Sequence, residues 1–301
     1  MIQGVTGPLL RHRLMGIVTT MDAAARTNAL GEYLQARRGL VSPEHVGLPA
    51  GTRRRVPGLR REEVALLAGI SADYYLRLER GRDSNPSLQV LEALARVLQL
   101  DDVETAWLWD LATPRPRVRR ARPVERVPAR LQHLLAALDV PAFVEGRYFD
   151  VLASNKAAVS LSPRLVPGEN RLRSLLLDPA ERGFHRDWEG AVASFVGAAR
   201  KTLGHDESDP RAVELVGELS LASARFRTLW ARHDVRALDG GSVTVDHPRV
   251  GPLDLHREKL PVGEVILVIY YPDEHSDSAD KLHLLSTWDA SAPNLALGPR
   301  T

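Results

Sequence analysis

The stretch "TPRPRVRRARPVERVP", residues 113–128, constrains this chain most: it packs four prolines and six arginines into 16 residues. Each proline removes a backbone donor and drives the residue before it out of the helical region. The segment therefore reads as an extended, solvated linker. A chain of 301 residues is long enough for two ordinary domains, and this break places one at 27–112 and the other at 129–290. Residues 1–26 show no sustained periodicity and are expected to be a disordered or wrongly assigned leader, with Met15 and Met21 as alternative starts to Met1. Residues 291–301 read as a tail.

Charge divides at the same place. Residues 1–128 hold 20 arginines, no lysine and 14 acids, a net of +6; the remainder holds 20 basic residues against 24 acids, a net of −4. A basic front and an acidic back fit a front half that faces a polyanion. There is no cysteine, which excludes disulfides, thiolate metal sites and a cysteine nucleophile. No apolar run approaches the roughly 20 residues of a membrane span, and no signal-peptide pattern opens the chain. The expectation is a cytoplasmic protein with no membrane contact.

The front half predicts five short helices. "NALGEYLQARRGL" places Leu30, Tyr33, Leu34 and Leu40 on one stripe. "LRREEVALLAG" puts Glu62 and Glu63 in a first turn and stops at Gly69. Ser71 is the N-cap of a third helix whose Tyr75 and Leu78 face inward. "PSLQVLEALARVLQL" starts at Ser87 and buries Leu88, Leu91, Leu94, Ala95 and Leu98. "DDVETAWLWDLA" closes the bundle with Trp107 and Leu111.

Two helices joined by a tight turn, the second short and capped, have the geometry that lays a helix into a DNA major groove. Ala65 is small enough for close approach, Gly69 permits a left-handed turn, and Ile70, Tyr75 and Leu78 anchor the second helix. Ser71, Ala72, Asp73, Tyr74 and Arg77 are then left outward. Arg77 suits guanine, Asp73 suits cytosine, and Ala72 or Tyr74 suits a thymine methyl. Arg60 and Arg61 suit phosphates. Arg53, Arg54 and Arg55, in the preceding loop, serve either solubility or a backbone clamp. A plain helical hairpin with solvated arginines satisfies the spacing equally well.

The run "EEVALLAGISADYYLRLERG…NPSLQVLEALARVLQL" resembles the XRE (lambda-repressor-like) helix-turn-helix family over residues 29–112. That resemblance implies an all-α five-helix DNA-binding domain acting on a double-stranded operator. The loop between the first two helices, about 18 residues, is longer than that family usually has, and with "GLPAGTRRRVPGLRREEVA" looks like the actinobacterial MmyB-like subgroup.

Behind the linker, "LQHLLAAL" reads as a short helix and "VPAFVEGRYFDVLASN" as two strands turning near Gly146 and Arg147. Helical runs follow, then the strands "GSVTVDHP", "GPLDLHREKL" and "EVILVIYYP", and a last helix, "SADKLHLLSTW". Two strands before a helical block and three after it predict an α+β, PAS-like domain with a five-stranded antiparallel sheet. On the strand after the block, His256 and Glu258 alternate toward the surface. "LLLDPAERGFHRDWEG", "HPRVGPLDLHREKL" and above all "LWARHDV" resemble the MmyB-like ligand-binding domain over residues 129–288. The resemblance implies an apolar cavity that holds a fatty acid. That family often has Trp-Asn at the end of the second strand; here Ser154 precedes Asn155.

Arg227, Trp230 and His233, spaced i, i+3, i+6, project from neighbouring parts of one helical face. With Asn155 and Tyr148 they form a candidate rim for a ligand head group, and Phe143, Phe149, Phe195, Phe226 and Leu219 are candidate walls. Alternatively the same residues form a buried capping network in which Asp234 orients His233. Neither a metal-ligand spacing, a P-loop, a dinucleotide fingerprint nor a nucleophile elbow occurs. No cofactor, metal or catalysis is expected. The expected function is a homodimeric DNA-binding repressor that senses a small apolar effector; the alternative is a constitutive repressor whose back domain only dimerises.

Overall fold

The structure, a computed structural model, describes residues 29–49, 56–83, 85–113, 125–204 and 209–291. It divides into two compact units, the first ending at Arg119 but including Ala231–Val235, the second made of the rest. The expected leader, most of the linker, the tail and Arg53, Arg54 and Arg55 lie outside the described residues.

Among the described residues the first unit holds five α-helices, α1 (residues 29–40), α2 (Arg61–Ala68), α3 (Ala72–Glu79), α4 (Leu88–Val97) and α5 (Asp102–Ala112), with a 3-10 turn at Pro43–Val46 after the first. Its core joins Leu30, Tyr33, Leu34, Val64, Tyr75, Leu78, Leu94, Leu98 and Trp107. Three of the N-termini, those of α3, α4 and α5, are built by side-chain caps. Ser71, Ser87 and Asp101 accept from the backbone amides of Tyr74, Val90 and Glu104, satisfying donors that a helix start leaves open.

Two expected core positions are corrected. Leu40 is 45% exposed and Val41 is buried in its place. At 100° per residue the stripe through Leu30 and Leu34 returns at Arg37 and Val41 and passes Leu40 by. Leu88 is 58% exposed; as the first residue of α4 it lies beyond the edge of the stripe set by Leu91, Leu94 and Leu98. The inward Arg37 is matched by acids, donating to Glu104 at 2.9 Å and to Asp234 at 2.8 Å.

The second unit opens with α6 (Ala129–Ala137), β1 (Ala142–Glu145) and β2 (Val151–Ser154). Then come α7 (Lys156–Leu161), α8 (Arg171–Leu177), α9 (Pro179–Phe184), α10 (Trp188–Leu203), α11 (Pro210–Ala222) and α12 (Ala224–Ala231). It closes with β3 (Gly241–His247), β4 (Gly251–Val262), β5 (Val265–Tyr271) and α13 (Asp277–Ser291). The five strands form one sheet in the order β2-β1-β5-β4-β3, every pair antiparallel. The expected five-stranded antiparallel sheet is present, with the first strand in its interior.

Alternation assigns the two faces. Ala142, Val144, Val265 and Leu267 pack with Leu131 and Leu135 of α6. Phe143, Val268, Tyr270, Leu253, Leu255 and Val245 form the opposite face, covered in part by Leu161 and Leu285. A separate apolar cluster, with Phe149, Leu172, Phe195, Leu219 and Phe226, fills the helical block.

Candidate functional site

The turn between α2 and α3 is made by Gly69 at φ 69°, in the left-handed region where a β-carbon is disfavoured. Its amide and that of Ile70 donate to Leu66 and Ala65 carbonyls at 3.2 and 3.0 Å. Ser71 Oγ accepts from Tyr74 N at 3.1 Å and starts α3. Tyr75 and Leu78 are fully buried, so the rotation of α3 is fixed. Ser71, Ala72, Asp73 and Arg77 are exposed and Tyr74 is half-buried.

Arg77 does not wait free. Its guanidinium donates to Asp73 at 2.7 Å and lies 5.4 Å from the centre of the Tyr74 ring. An exposed pair of this kind holds one rotamer at little cost to exchange. Burial, with Asp83 adding to it, raises the Tyr74 phenol above its usual range, so Tyr74 stays a neutral donor.

Arg60 is exposed at the entry to α2, its backbone amide bound to Glu63 at 2.7 Å. Arg61 carries a second duty that its exposure in sequence did not suggest. Its Nε donates to Glu79 at 2.5 Å while Arg38 Nε donates to the other oxygen at 2.6 Å, and the Glu79 side chain is 2% exposed. Arg61 thus ties the start of α2 to the end of α3, and 44% of its side chain remains exposed.

In the second unit the expected rim does not assemble. Asn155 caps α7: its Oδ1 accepts from Ala158 and Ala142 amides, and its Nδ2 donates to the Leu138 and Val140 carbonyls. All four bonding positions of the amide are occupied by backbone. Tyr148 donates to Asp209 at 2.7 Å. Arg227 is exposed and donates to the Ser220 and Leu221 carbonyls. Trp230 stacks on Phe226 at 5.2 Å with the Arg200 guanidinium 4.0 Å from its ring. The spacing argument failed because α12 ends at Ala231 and His233 turns at φ 55°. His233 lies in the segment that belongs to the first unit, Trp230 in the second.

Phe143 is where expected, fully buried, and its surroundings are charged. The Arg171 guanidinium lies 5.0 Å from the Phe143 ring and 4.9 Å from the Phe195 ring. It donates to Glu145 at 3.4 Å and to the Tyr270 hydroxyl at 3.3 Å, and Lys259 Nζ donates to the other Glu145 oxygen. Sequence reasoning passed over these residues. The available signal was on β4: alternation that turns His256 and Glu258 outward turns Arg257 and Lys259 to the side of Leu253 and Leu255.

A half-open cleft of about 440 Å³ lies elsewhere, lined by Val140, Pro141, Ser160, Pro272, Leu282 and His283 among others, and no expected rim residue borders it. Among the described residues no cluster of acids and histidines could hold a metal ion, and no helix is long and apolar enough to cross a membrane.

Residues 127–285 match the family model described as the MmyB-like transcription regulator ligand binding domain. The chain belongs to that family. Residues 29–108 match a helix-turn-helix domain, and the pair of matches makes the chain a DNA-binding transcription regulator with a ligand-binding part. No curated protein matches it. A solved structure titled "Structure of an RNA-binding Light-Oxygen-Voltage Receptor" is similar at 14% identity, covering 94% of this chain and 70% of that one, with a TM-score of 0.23; so low a score carries no argument.

Proposed function

We propose that this regulator is a repressor that binds a two-fold operator as a homodimer and responds to a small apolar effector, such as a fatty acid, in its second unit. The observation that carries the DNA half is α3 itself. It is capped, fixed in rotation by Tyr75 and Leu78, and presents Ser71, Ala72, Asp73 and Arg77 outward. Arg77 and Asp73 read bases once their mutual pair is exchanged, and Arg60 and the exposed part of Arg61 contact phosphates. Arg53, Arg54 and Arg55, which precede α2 in the sequence, add charge. Half-sites for two such helices lie about 34 Å apart.

The effector acts by preferring one spacing of the two front units. A near-complete switch takes roughly 5.5 kcal/mol of differential affinity, which an acyl chain can supply at about 0.8 kcal/mol per buried methylene. Footprinting of the gene's own upstream region, with and without dodecanoate, tests the proposal. A protected palindromic site that weakens or strengthens with dodecanoate supports it. Absence of protection at low salt in both conditions overturns the DNA half, and protection indifferent to any effector leaves a constitutive repressor.

A further inference from the structure

The first unit is not built from consecutive chain. Ala231–Val235 belong to it, although they lie inside the stretch 127–285 that matches the ligand binding domain. Val235 is 1% exposed and is a member of the same apolar core as Tyr33, Leu34 and Trp107. Asp234 accepts from Arg37 at 2.8 Å, and Arg37 donates to Glu104 at 2.9 Å. Glu104 in turn completes the capping box of α5, its carboxylate accepting from the Asp101 amide at 3.2 Å. The five residues are therefore seated on α1 and the start of α5. Arg38, next to Arg37, pairs with Glu79 at the end of α3 at 2.6 Å. Gly31 passes the Glu79 carbonyl so closely that a β-carbon there would come 2.3 Å from its oxygen. One helix, α1, meets the inserted segment through one arginine and α3 through the next.

The residues flanking the segment, Trp230 and Arg236, belong to the second unit, and α10 holds both. Arg200 donates to the Trp230 carbonyl and sets its guanidinium 4.0 Å from the Trp230 ring. Arg236 packs on Gly197, where a β-carbon would come 2.9 Å from the arginine Cγ. Gly197 and Arg200 are neighbours on one face of α10 at i, i+3. The same helix supplies Val192, Phe195, Val196 and Ala199 to the cluster that fills the helical block.

Releasing the segment would strand no charge. Arg37 keeps Glu104, and Asp234 keeps Arg232, which donates to it at 3.0 Å from a half-exposed side chain. Breaking an ion pair whose members both have a second partner costs far less than leaving a buried charge alone. The remaining cost is the apolar surface of Val235. Two arrangements close in free energy are what a switching element requires.

We propose that Ala231–Val235 are the coupling element of this regulator. Seated in the first unit, they hold α1, and through it α3, in the operator-binding arrangement; an effector bound in the second unit releases them through α10. The proposal rests on the reading of the chain as an effector-responsive repressor and assigns the part that carries the response. A run of contacts becomes coupling only when both sites bias its state, so the test locks and releases the segment in the full chain.

Because the chain has no cysteine, Arg37→Cys with Asp234→Cys, joined by a short bis-maleimide, fixes the segment in its seat. Asp234→Ala and Val235→Ala loosen it. Operator affinity is read by fluorescence anisotropy on the footprinted site, with and without dodecanoate, and dodecanoate binding by titration calorimetry. The wild type should bind the operator about tenfold less tightly with dodecanoate than without it. The locked chain should still bind dodecanoate, yet hold the operator in both conditions as tightly as the unliganded wild type does. The two alanine variants should bind the operator about fivefold more weakly than wild type, and dodecanoate should no longer alter that value. A locked chain that responds in full overturns the coupling and leaves the effector-responsive repressor standing. A wild type indifferent to dodecanoate overturns both. Alanine variants that keep the wild-type affinity and its full response make the segment a structural plug and also overturn the assignment.

Discussion

In each unit a buried carboxylate is shared by two cations, Glu79 in the first and Glu145 in the second, yet the two sites differ in kind. In the helical unit Glu79 is held by Arg38 and Arg61 at 2.6 and 2.5 Å, and 44% of the Arg61 side chain remains exposed. In the sheet unit Glu145 is held by Lys259 and Arg171, both nearly enclosed. Surplus charge in contact with water is screened and adds little to stability in either direction. Charges that are enclosed are desolvated and depend on their partners, here Glu145 with Glu181 nearby. The first arrangement is a brace between α2 and α3; the second is an enclosed ion cluster that ties β1 and β4 to α8.

The largest expected effect that sharpens this contrast comes from removing each carboxylate. Glu145→Gln strands two enclosed cations and should destabilise the second unit by about 3–5 kcal/mol. Glu79→Gln frees Arg61 toward solvent and should cost the first unit distinctly less. Hydrogen exchange followed separately in each unit checks the order, and equal losses would erase the distinction.

The next effect concerns pH. Lys259 is held near 8, against 10.5 in the open chain. Between those values the unfolded state binds more protons than the folded one, so the contribution of this group to stability rises with pH through that window. Below about pH 8 the full penalty applies, on the order of 3 kcal/mol. The gap in unfolding free energy between Lys259→Met and wild type, measured by urea unfolding, should narrow from pH 8 to 10.5. No such narrowing is expected for any variant at Glu79, whose partners are arginines.

Smaller effects concern the exposed pair. Arg77→Ala should lose about 1–3 kcal/mol of operator binding and relax base choice at one position, as read by competition with single-base operator variants. Arg60→Ala should weaken all sequences alike and make the salt dependence shallower by about one contact. The smallest is Ser71→Ala, about 1 kcal/mol of stability from a lost cap, visible as a lower midpoint in thermal unfolding.

What could be read without coordinates was what neighbours in the chain decide. Gly69, Ser71 and the inward Tyr75 and Leu78 follow from turn chemistry and a 3.6-residue period, and the structure places them accordingly. The strands showed for the same reason. Arg171 did not, because "RLRSLLL" reads as an amphipathic helix with arginines to water; its burial is decided by Phe143 and Phe195, 28 residues before it and 24 after. His233 was misplaced by a helix assumed to run two residues too far. Asn155 was taken for a rim group because sequence cannot show that backbone already fills all its bonding positions.

The interior place of β1 has a consequence for synthesis. Its partner β5 follows it by more than 100 residues, so at roughly 5–20 residues per second a nascent chain carries β1 unpaired on that side for several seconds or longer. During that interval an apolar edge is open to other chains on the ribosome, and a premature stop anywhere before Val265 would leave it open for good.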